Sequence, residues 1–346
     1  MTESKIDFVL PWVDGNNEKW SKIRAQYNPK IQNTNDNQSS ARFRDMETLK
    51  YVLRSIEKHC PWYNKIYLIT KGYHPEWLNI DHPKIELVSE EDLFIDKSHL
   101  PIFSSVAIEM NLVNLKQLSE KFVYLNDDMI IMRGLNSSRF FIDNKPVDFL
   151  SHGFMRRGKV FELFKERDTW IHSLNNTLKL INHKFSPISL EKKYLYHRSY
   201  SLRDKFSNFL LQNLYKKFLW LSHWHHPQPF LKSTLNDVYH TFQSEMMQCS
   251  QNKFRDKSDL NQYIYRYWQL AKGNFYPCKH NDGMISNLDT LEILETLISN
   301  IESNKNTNFV CFNDSTLLSD SEYEKVKITL LTYLENRFPD KASFER

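Results

Sequence analysis

The chain has 346 residues, is 40% hydrophobic and 14% aromatic, and carries a formal net charge of +4, which suits one large domain or two ordinary ones around a sizeable core. The mild charge does not indicate a nucleic-acid partner, and four scattered cysteines without a CxxC pair argue against a zinc cluster or a disulfide framework. Only 7 glycines occur, and the absence of GxGxxG and GxxxxGK(S/T) excludes both glycine-rich phosphate-binding loops.

Short apolar runs predict the first strands of a sheet. The first strand runs from Ile6 to Val13, and Asp14-Gly15 ends it with a turn. Further strands are predicted at Lys65 to Thr70 and at Ile85 to Val88. The first of these strands therefore ends at a carboxylate.

Two helices are predicted where apolar residues recur at helical spacing. The first opens at Arg42-Phe-Arg44-Asp45, with Asp45 as its N-cap or a first-turn acid, and Pro61 ends it. Ser104 or Ser105 can cap the second, which runs to about Leu118. Strands that alternate with helices in this way indicate a mostly parallel, Rossmann-like sheet.

The stretch from Phe122 to Met132 carries the sharpest signal in the chain. A buried strand, Phe122 to Leu125, stops at Asn126, Asp127 and Asp128, and a second apolar run follows. In open α/β sheets, ligands bind beyond the carboxyl ends of the strands, where adjacent carboxylates can hold a hard cation that bridges a diphosphate. The alternative is a polar turn in which Asn126 and Asp127 bond to their own backbone. These residues alone do not choose between the two.

The segment 154–221 has a different character, because strand signals fade and aromatic residues mix with basic ones. Between Lys179 and Lys217 there are nine Lys or Arg residues and two acids, and a helix is predicted from Leu202 to Leu221. A basic face of this kind fits an anionic membrane or glycan, but an ordinary amphipathic helical insertion with a solvated basic face is the favoured interpretation. The N-terminus has no apolar signal region and no run reaches about 18 apolar residues, so we expect a cytoplasmic protein, with peripheral contact at the inner face of the membrane through 179–217 left open.

Three histidines in four residues, His223, His225 and His226, precede Pro227 and Pro229. Alternate side chains of a strand point in opposite directions, and the prolines argue against a helix. A single site histidine is therefore favoured over a zinc site.

Two features of the C-terminal part supply the remaining candidate site residues. Arg255 precedes a helix and matters only if an anion binds beside it. A last strand, Phe309 to Phe312, ends at Asn313-Asp314 and so repeats the pattern of the 122–128 stretch. A closing helix is predicted from about Ser321 to Arg337.

Taken together, these residues resemble the Stealth family, which includes bacterial capsular and exopolysaccharide phosphotransferases and the animal N-acetylglucosamine-1-phosphotransferase. Four motif regions occur in the family's order and leave mainly 154–221 uncovered. One departure is Ile102, where a polar threonine is expected, and it should affect packing beside the site. The matching stretches are Ile6 to Gly15 with Trp20; Arg42 to Asp45, Leu53 to Trp62, Lys65 to Thr70, His82 to Ile85, Leu100 to Ser105, Ala107 to Glu109 and Leu125 to Met129; His226 to Pro229 with Phe254-Arg255; and Phe312 to Asp314 with Phe338-Pro339 and Ser343 to Glu345.

The resemblance implies an enzyme that transfers a sugar 1-phosphate from a nucleotide sugar, usually a UDP-sugar, to a hydroxyl of a glycan or lipid-linked glycan, and that releases UMP. It implies one catalytic domain over residues 1–346, with an α/β, Rossmann-like (GT-A-like) fold and a helical insertion at 154–221. An oligomer is compatible with it, and no nucleic-acid partner is expected. The rival functions are a conventional metal-dependent glycosyltransferase that releases UDP and a non-catalytic glycan-binding relative.

The same resemblance assigns roles to the candidate residues. Asp127 and Asp128 would hold Mg²⁺ or Mn²⁺, and Arg44 and Arg255 would bind phosphate oxygens. The acceptor hydroxyl needs a base, for which His226 and Asp14 are the candidates. The expected substrate-binding residues are Gly15, Arg42, Asp45, Ser104, Asn126, Asn313 and Asp314.

Overall fold

The computed structural model describes residues 5–15, 17–27, 44–153, 169–222 and 225–346. Among the predicted site residues, Arg42 lies outside these ranges, as does the first part of the predicted insertion, 154–168. Within the described ranges, no helix combines the length and the apolar composition that crossing a bilayer requires.

The strands of the described residues form a five-stranded sheet and two three-stranded sheets. They are β1 (Ile6–Pro11), β2 (Ile66–Thr70), β3 (Ile85–Ser89), β4 (Lys121–Tyr124), β5 (Met129–Ile131), β6 (Phe141–Ile142), β7 (Lys145–Asp148), β8 (Gln228–Leu231), β9 (Tyr276–Pro277), β10 (Gly283–Asn287) and β11 (Phe309–Asn313).

The five-stranded sheet has the order β3-β2-β1-β4-β8. Its first four strands are parallel, and β8 runs antiparallel to β4 at the edge. The predicted α/β class with a mostly parallel, Rossmann-like sheet is therefore confirmed. The chain leaves β1 for β2 on one side of it and later returns to β4 on the other, so β1 and β4 flank the switch point of the topology.

Helices cover both faces of this sheet. They are α1 (Glu18–Tyr27), α2 (Leu49–His59), α3 (Glu90–Leu93), α4 (Ser105–Asn111), α5 (Thr169–Lys184), α6 (Lys192–Leu195), α7 (Leu202–Leu210), α8 (Lys232–Ser250), α9 (Tyr263–Lys272), α10 (Leu291–Ser303) and α11 (Asp320–Arg337).

Two hydrophobic cores lie on opposite faces of the central sheet. Phe8 and Leu10 of β1 pack in the core that contains α2, α10 and α11, whereas Val9 points into the core of α4, α5, α8 and α9. Successive side chains of a strand alternate between faces, so a strand covered on both sides is apolar at every position. This explains the unbroken apolar run from Phe8 to Leu10.

The helix predicted to open at Arg42 to Asp45 begins later, at Leu49. The carboxylate of Asp45 accepts a hydrogen bond from the backbone N–H of Glu47 at 2.6 Å, and Glu47 has a left-handed φ of 59°. Asp45 therefore forms a turn before the helix and is not its N-cap, because an Asx side chain can bond to backbone two residues ahead.

The helix predicted from Leu202 to Leu221 is also shorter than expected. Its α-helical part ends at Leu210, a π-helical turn covers Leu211–Tyr215, and Lys216 adopts a left-handed φ of 56°. The second predicted helix likewise ends at Asn111 and is followed by a short 3-10 turn. In both cases, apolar residues at helical spacing continue in the sequence beyond the last residue of the α-helix.

Candidate active site

Polar side chains collect where β1 and β4 end. The two strands are paired in register from Ile6 and Lys121 to Val9 and Tyr124, and the backbone N–H of Leu125 donates to the carbonyl of Val9 at 3.1 Å. Asn126, Asp127 and Asp128 therefore emerge beside the residues that follow β1. This is the position at which parallel α/β sheets bind ligands.

A cleft of about 930 Å³ opens at this edge of the sheet. Its walls come from β1, β4, β10 and β11, and from the segments before α2, α4 and α9. Most of the predicted site residues line it, namely Arg44, Ser104, Asn126, Asp127, Asp128, His226, Arg255, Asn313 and Asp314.

The carboxylates at the floor of the cleft repel one another. Burial raises the pKa of Asp127 well above its usual range, and the charges of Asp128 and Asp45 raise it further. Within the described ranges, no Lys or Arg forms an ion pair with Asp127 or Asp128. A group of acids without a basic partner has the electrostatic character of a cation site.

The two carboxylate oxygens of Asp128 differ in their contacts. Its Oδ2 accepts a hydrogen bond from Sγ of Cys311 at 3.2 Å and lies 3.8 Å from Nε2 of His225. Its Oδ1 is buried and has no hydrogen-bond partner in the described part of the chain. Ligand atoms of Asp128, His225 and Cys311 lie within 4.8 Å of one another.

The donor set suits a hard divalent cation better than zinc. Burial and the nearby Asp128 raise the pKa of the Cys311 thiol well above its usual range, so Cys311 is a neutral hydrogen-bond donor. A soft metal would need the thiolate, whereas Mg²⁺ and Mn²⁺ prefer carboxylate oxygens. The unpartnered Oδ1 of Asp128 and the adjacent carboxylate of Asp127 fit such an ion.

His226 lines the cleft as a neutral ring. Its Nδ1 donates to the carbonyl of Pro227 at 2.9 Å, so Nε2 is the basic nitrogen of the ring. The ring stacks on Phe309 at a centroid distance of 5.7 Å. Burial, and then the charge of Arg139, lower the pKa of His226 to about 3.

The two candidate phosphate-binding arginines differ in their contacts. Nε and Nη2 of Arg44 donate to the carboxylate of Asp314 at 3.0 and 2.9 Å, and its guanidinium lies 4.1 Å from the centre of the Tyr323 ring. Its Nη1 is buried without a hydrogen-bond partner among the described residues. Arg255 donates to Oγ of Ser105 at 3.2 Å at the opposite wall. Arg44 thus joins the segment before α2 to the end of β11, with one nitrogen left for a ligand.

Ser104, Asn126 and Asn313 also stand where a substrate would contact them. The Ser104 hydroxyl is buried and has no hydrogen-bond partner in the described ranges. Asn313 donates from Nδ2 to the side-chain oxygen of Asn287 at 3.1 Å, and both residues line the cleft. These contacts give the cleft neutral polar groups beside its charged ones.

Three predicted residues, Asp14, Gly15 and Asp45, are not among the residues that line the cleft. Asp45 accepts a hydrogen bond from Nε1 of Trp12 at 3.3 Å, and burial raises its pKa, with a further contribution from Asp14. Trp12 itself forms part of the wall. Asp45 therefore contacts the wall of the cleft through Trp12, and Asp14 acts on Asp45 through its charge.

The sequence did not single out the ion pair of Lys71 and Glu90, which lines the cleft. Nζ of Lys71 lies 2.9 and 2.7 Å from the two carboxylate oxygens of Glu90 and also donates to the carbonyl of Ile102. Burial lowers the pKa of Lys71 and raises that of Glu90. Lys71 directly follows β2, so the rule that selected Asp14 and Asn126, a polar residue just after a strand, would also have found it.

Comparison with known proteins agrees with the motif resemblance. The family model for Stealth protein CR2, conserved region 2, matches residues 42–148. The chain is 35% identical over 351 residues to the capsular polysaccharide phosphotransferase WcwK of Streptococcus pneumoniae, with 99% of this chain and 98% of the relative covered. It is 30% identical over 344 residues to the exopolysaccharide phosphotransferase cps2G of Lactiplantibacillus plantarum, with 99% and 96% covered.

A further relative is the receptor polysaccharide phosphotransferase WefC of Streptococcus gordonii, which is 32% identical over 351 residues, with 99% of each chain covered. Among solved structures, the galactosyltransferase LgtC aligns with 93% of this chain and 95% of its own, at 9% identity and a TM-score of 0.37, a likeness that carries no argument about activity. The identity to several phosphotransferases over the full length of the chain does support a conclusion about activity. This chain belongs to the Stealth family of polysaccharide phosphotransferases and is a transferase.

Proposed function

We propose that this transferase moves a sugar 1-phosphate from a UDP-sugar to a hydroxyl of a glycan or lipid-linked glycan during capsular or exopolysaccharide synthesis. The product is a phosphodiester, and UMP leaves. The names of the relatives, capsular and exopolysaccharide phosphotransferase, support this class of reaction.

One observation carries the proposal: a single cleft combines Asp127 and Asp128, an arginine and a neutral histidine. Uncompensated carboxylates would repel a diphosphate. Mg²⁺ or Mn²⁺ held by Asp127 and Asp128 would neutralise the diphosphate oxygens and the charge that develops on them during transfer. The buried, unpartnered Oδ1 of Asp128 supports this assignment.

The residues of the chain then position the reactants. Arg255 and the Ser104 hydroxyl donate to phosphate oxygens from one wall, while Arg44 fixes Asp314 and offers Nη1 from the other. Asn126 and Asn313 contact the sugar. Arg42, two residues before Arg44 in the sequence, and the turn residue Gly15 are further donor contacts in this proposal.

His226 is the base in this proposal. Its Nε2 accepts the proton of the acceptor hydroxyl as the oxygen forms a bond to the β-phosphorus, and the bond from that phosphorus to the bridging oxygen breaks with its electron pair leaving on UMP. A ring whose pKa is lowered to about 3 is neutral, so Nε2 carries the lone pair that a base needs, but the pKa must rise on substrate binding for the ring to take the proton. The anionic diphosphate raises its basicity, since an opposite charge favours the protonated ring. Asp14 is given no part in the proton transfer in this scheme; its charge raises the pKa of Asp45.

The released nucleotide tests the reaction. Purified protein is incubated with a panel of UDP-sugars and an acceptor glycan in Mg²⁺ or Mn²⁺, and products are identified by mass. We expect UMP together with a phosphodiester-linked product, and UDP with a glycosidic product would instead indicate a conventional glycosyltransferase.

A variant pair makes the test specific to the base. His226→Ala should lower kcat by about 10²- to 10⁴-fold while the KM for the donor changes little. His240→Ala, at an exposed position of α8, is the matched control and should behave as the parent protein. A change confined to the donor KM would make His226 a binding residue.

A further inference from the structure

The helix α7 presents its polar residues to the protein and its apolar residues to the outside. Asp204 and Asn208 are buried on its inner side. Both oxygens of Asp204 accept from Nζ of Lys279 at 2.8 Å, and Nδ2 of Asn208 donates to the carbonyls of Leu150 and Leu195 at 2.8 and 2.9 Å. Hydrogen bonds thus attach this helix to the protein, which is the reverse of an ordinary amphipathic surface helix.

The outer side of α7 and the turn after it form an exposed apolar face. Leu202, Phe206 and Phe209 are 85%, 63% and 51% exposed, and their spacing of four and three residues aligns them on one side of the helix. Leu214, 65% exposed, and Tyr215 extend the face through the π-helical turn. In the described ranges, eleven large apolar side chains are exposed. Six of them are the five residues of this face and Ile188.

Positive charge surrounds this apolar face. Basic residues near it are exposed, whereas the two acids between 179 and 217 are already paired: Asp204 is buried with Lys279, and Glu191 lies 2.8 Å from Nζ of Lys193. The exposed basic residues include Lys184, Lys192, Arg198, Lys216 and Lys217.

We propose that α7 and the following turn, Leu202–Tyr215, dock this enzyme on a membrane surface that contains anionic phospholipids. A helix with exposed Leu and Phe residues and a basic border lies in the plane of the interface, with its apolar side chains among the acyl chains and its basic side chains at the headgroups. A second copy of the chain fits less well, because a two-fold contact would bring the two basic borders together. The docking surface is separate from the cleft and does not depend on the reaction proposed for it.

Vesicle sedimentation with the full-length chain tests this inference. Vesicles of phosphatidylcholine alone and of phosphatidylcholine mixed with phosphatidylglycerol are compared. We expect binding to the mixed vesicles and at least tenfold weaker binding to the neutral ones. Phe206→Ser combined with Phe209→Ser should reduce binding to the mixed vesicles at least tenfold, and Lys216→Glu combined with Lys217→Glu should do the same.

The matched control is Ile95→Ser combined with Ile328→Ser, which removes two exposed apolar residues, 70% and 62% exposed, elsewhere on the surface. It should bind vesicles as the parent protein does, and thermal denaturation checks that all variants are folded. The inference is overturned if the parent protein does not bind anionic vesicles or if the Phe206/Phe209 variant binds them equally well. Self-association that the Phe206/Phe209 variant abolishes, without vesicle binding, would identify a second copy as the occupant.

Discussion

Asp127 and Asp128 are neighbours in sequence but have different surroundings. Burial, and then the charges of Asp128 and Asp45, raise the pKa of Asp127. Asp128 is oriented by the Cys311 thiol through Oδ2, and its Oδ1 is buried without a partner in the described ranges. Asp128 thus offers an oriented carboxylate oxygen to a cation. Asp127 is the carboxylate whose charged form a bound cation would stabilise most.

Glu109 is a buried acid of α4. It accepts hydrogen bonds from the Tyr124 hydroxyl at 3.2 Å and from the backbone N–H of Gln262 at 2.9 Å. Burial raises its pKa from 4.5 to about 7, although the charge of Arg255 opposes this shift. Glu109 therefore links β4 to the start of α9 while it keeps its proton in mildly acidic solution.

This raised pKa predicts a pH-dependent stability. Below pH 4.5 Glu109 is protonated in both the folded and the unfolded chain, but between about 4.5 and 7 only the unfolded chain loses the proton, so the free energy of unfolding falls as the pH rises. Glu109→Gln removes this dependence, and the variant should gain on the order of 3 kcal/mol relative to the parent protein across that interval. Urea unfolding at a series of pH values measures it.

The matched control is Glu91→Gln, at an exposed position of α3. Its free energy of unfolding should run parallel to that of the parent protein over the same pH range. If the free energy of unfolding of Glu109→Gln also ran parallel to that of the parent protein, this would contradict the raised pKa of Glu109.

At the scale of elements, the C-terminal segment is held against α2 by a buried ion pair. Nε and Nη2 of Arg54 donate to the two carboxylate oxygens of Glu345 at 2.7 and 2.9 Å, and both side chains are 3% exposed. Phe344 is fully buried, and its carbonyl accepts from the backbone N–H of Asn79 at 2.8 Å. The terminal motif Ser343 to Glu345 therefore has a structural contact far from the cleft carboxylates.

Breaking this ion pair should destabilise the protein strongly. Glu345→Ala removes the buried partner of Arg54 and leaves only the half-exposed carboxylate of Glu335, at 3.4 Å, to pair with its charge. Removing one partner of a buried ion pair typically costs about 3–5 kcal/mol. Lys58→Ala breaks a pair on the same helix, with Asp340 at 3.8 Å, whose side chains are 44% and 86% exposed, and should cost less than about 1 kcal/mol. Urea unfolding followed by tryptophan fluorescence compares the free energies of unfolding of the two variants. Equal losses would contradict a larger contribution from the buried ion pair of Arg54.

At the scale of the whole molecule, the cleft is assembled from distant parts of the chain. Asp128 follows β4 of the central sheet, whereas Cys311 and Asn313 lie on β11, which pairs with β5 in a separate sheet. The backbone N–H of Phe312 donates to the carbonyl of Asp128 at 3.0 Å and so extends the pairing of β11 with β5 to the acids, which stand in the link from β4 to β5. The site therefore exists only when both sheets have formed.

Cation binding should consequently stabilise the folded molecule. Mn²⁺ or Mg²⁺ at a hundred times its Kd adds about 2.7 kcal/mol to the free energy of unfolding, and Tm should rise by a few degrees. Asp128→Asn should abolish this rise, and EDTA should reverse it in the parent protein.

Asp340→Asn, at an exposed acid that follows α11, is the matched control and should keep the rise in Tm. Isothermal titration calorimetry gives the stoichiometry, for which we expect at least one ion per chain. A rise in Tm that persists in Asp128→Asn would place the cation elsewhere.

Sequence by itself determined the α/β class and the position of the acids at strand ends. Apolar runs of strand length that stop at polar residues indicate buried strands, because a strand covered on both faces is apolar throughout and its end meets solvent. The strands at Ile6, Lys65, Ile85, Phe122 and Phe309 were recognised in this way, with end points that agree within one or two residues.

Only the tertiary structure decided which strands pair and which polar residues meet. The edge strand β8 contains Pro229 and carries no strand pattern, yet it pairs with β4 because an edge position does not need every backbone donor. The outward face of α7 was equally hidden, since helical periodicity reveals two faces but not which of them the protein buries. Periodicity describes one element at a time, whereas the ion pair of Arg44 with Asp314 and the contact of Asp128 with Cys311 join residues far apart in the chain.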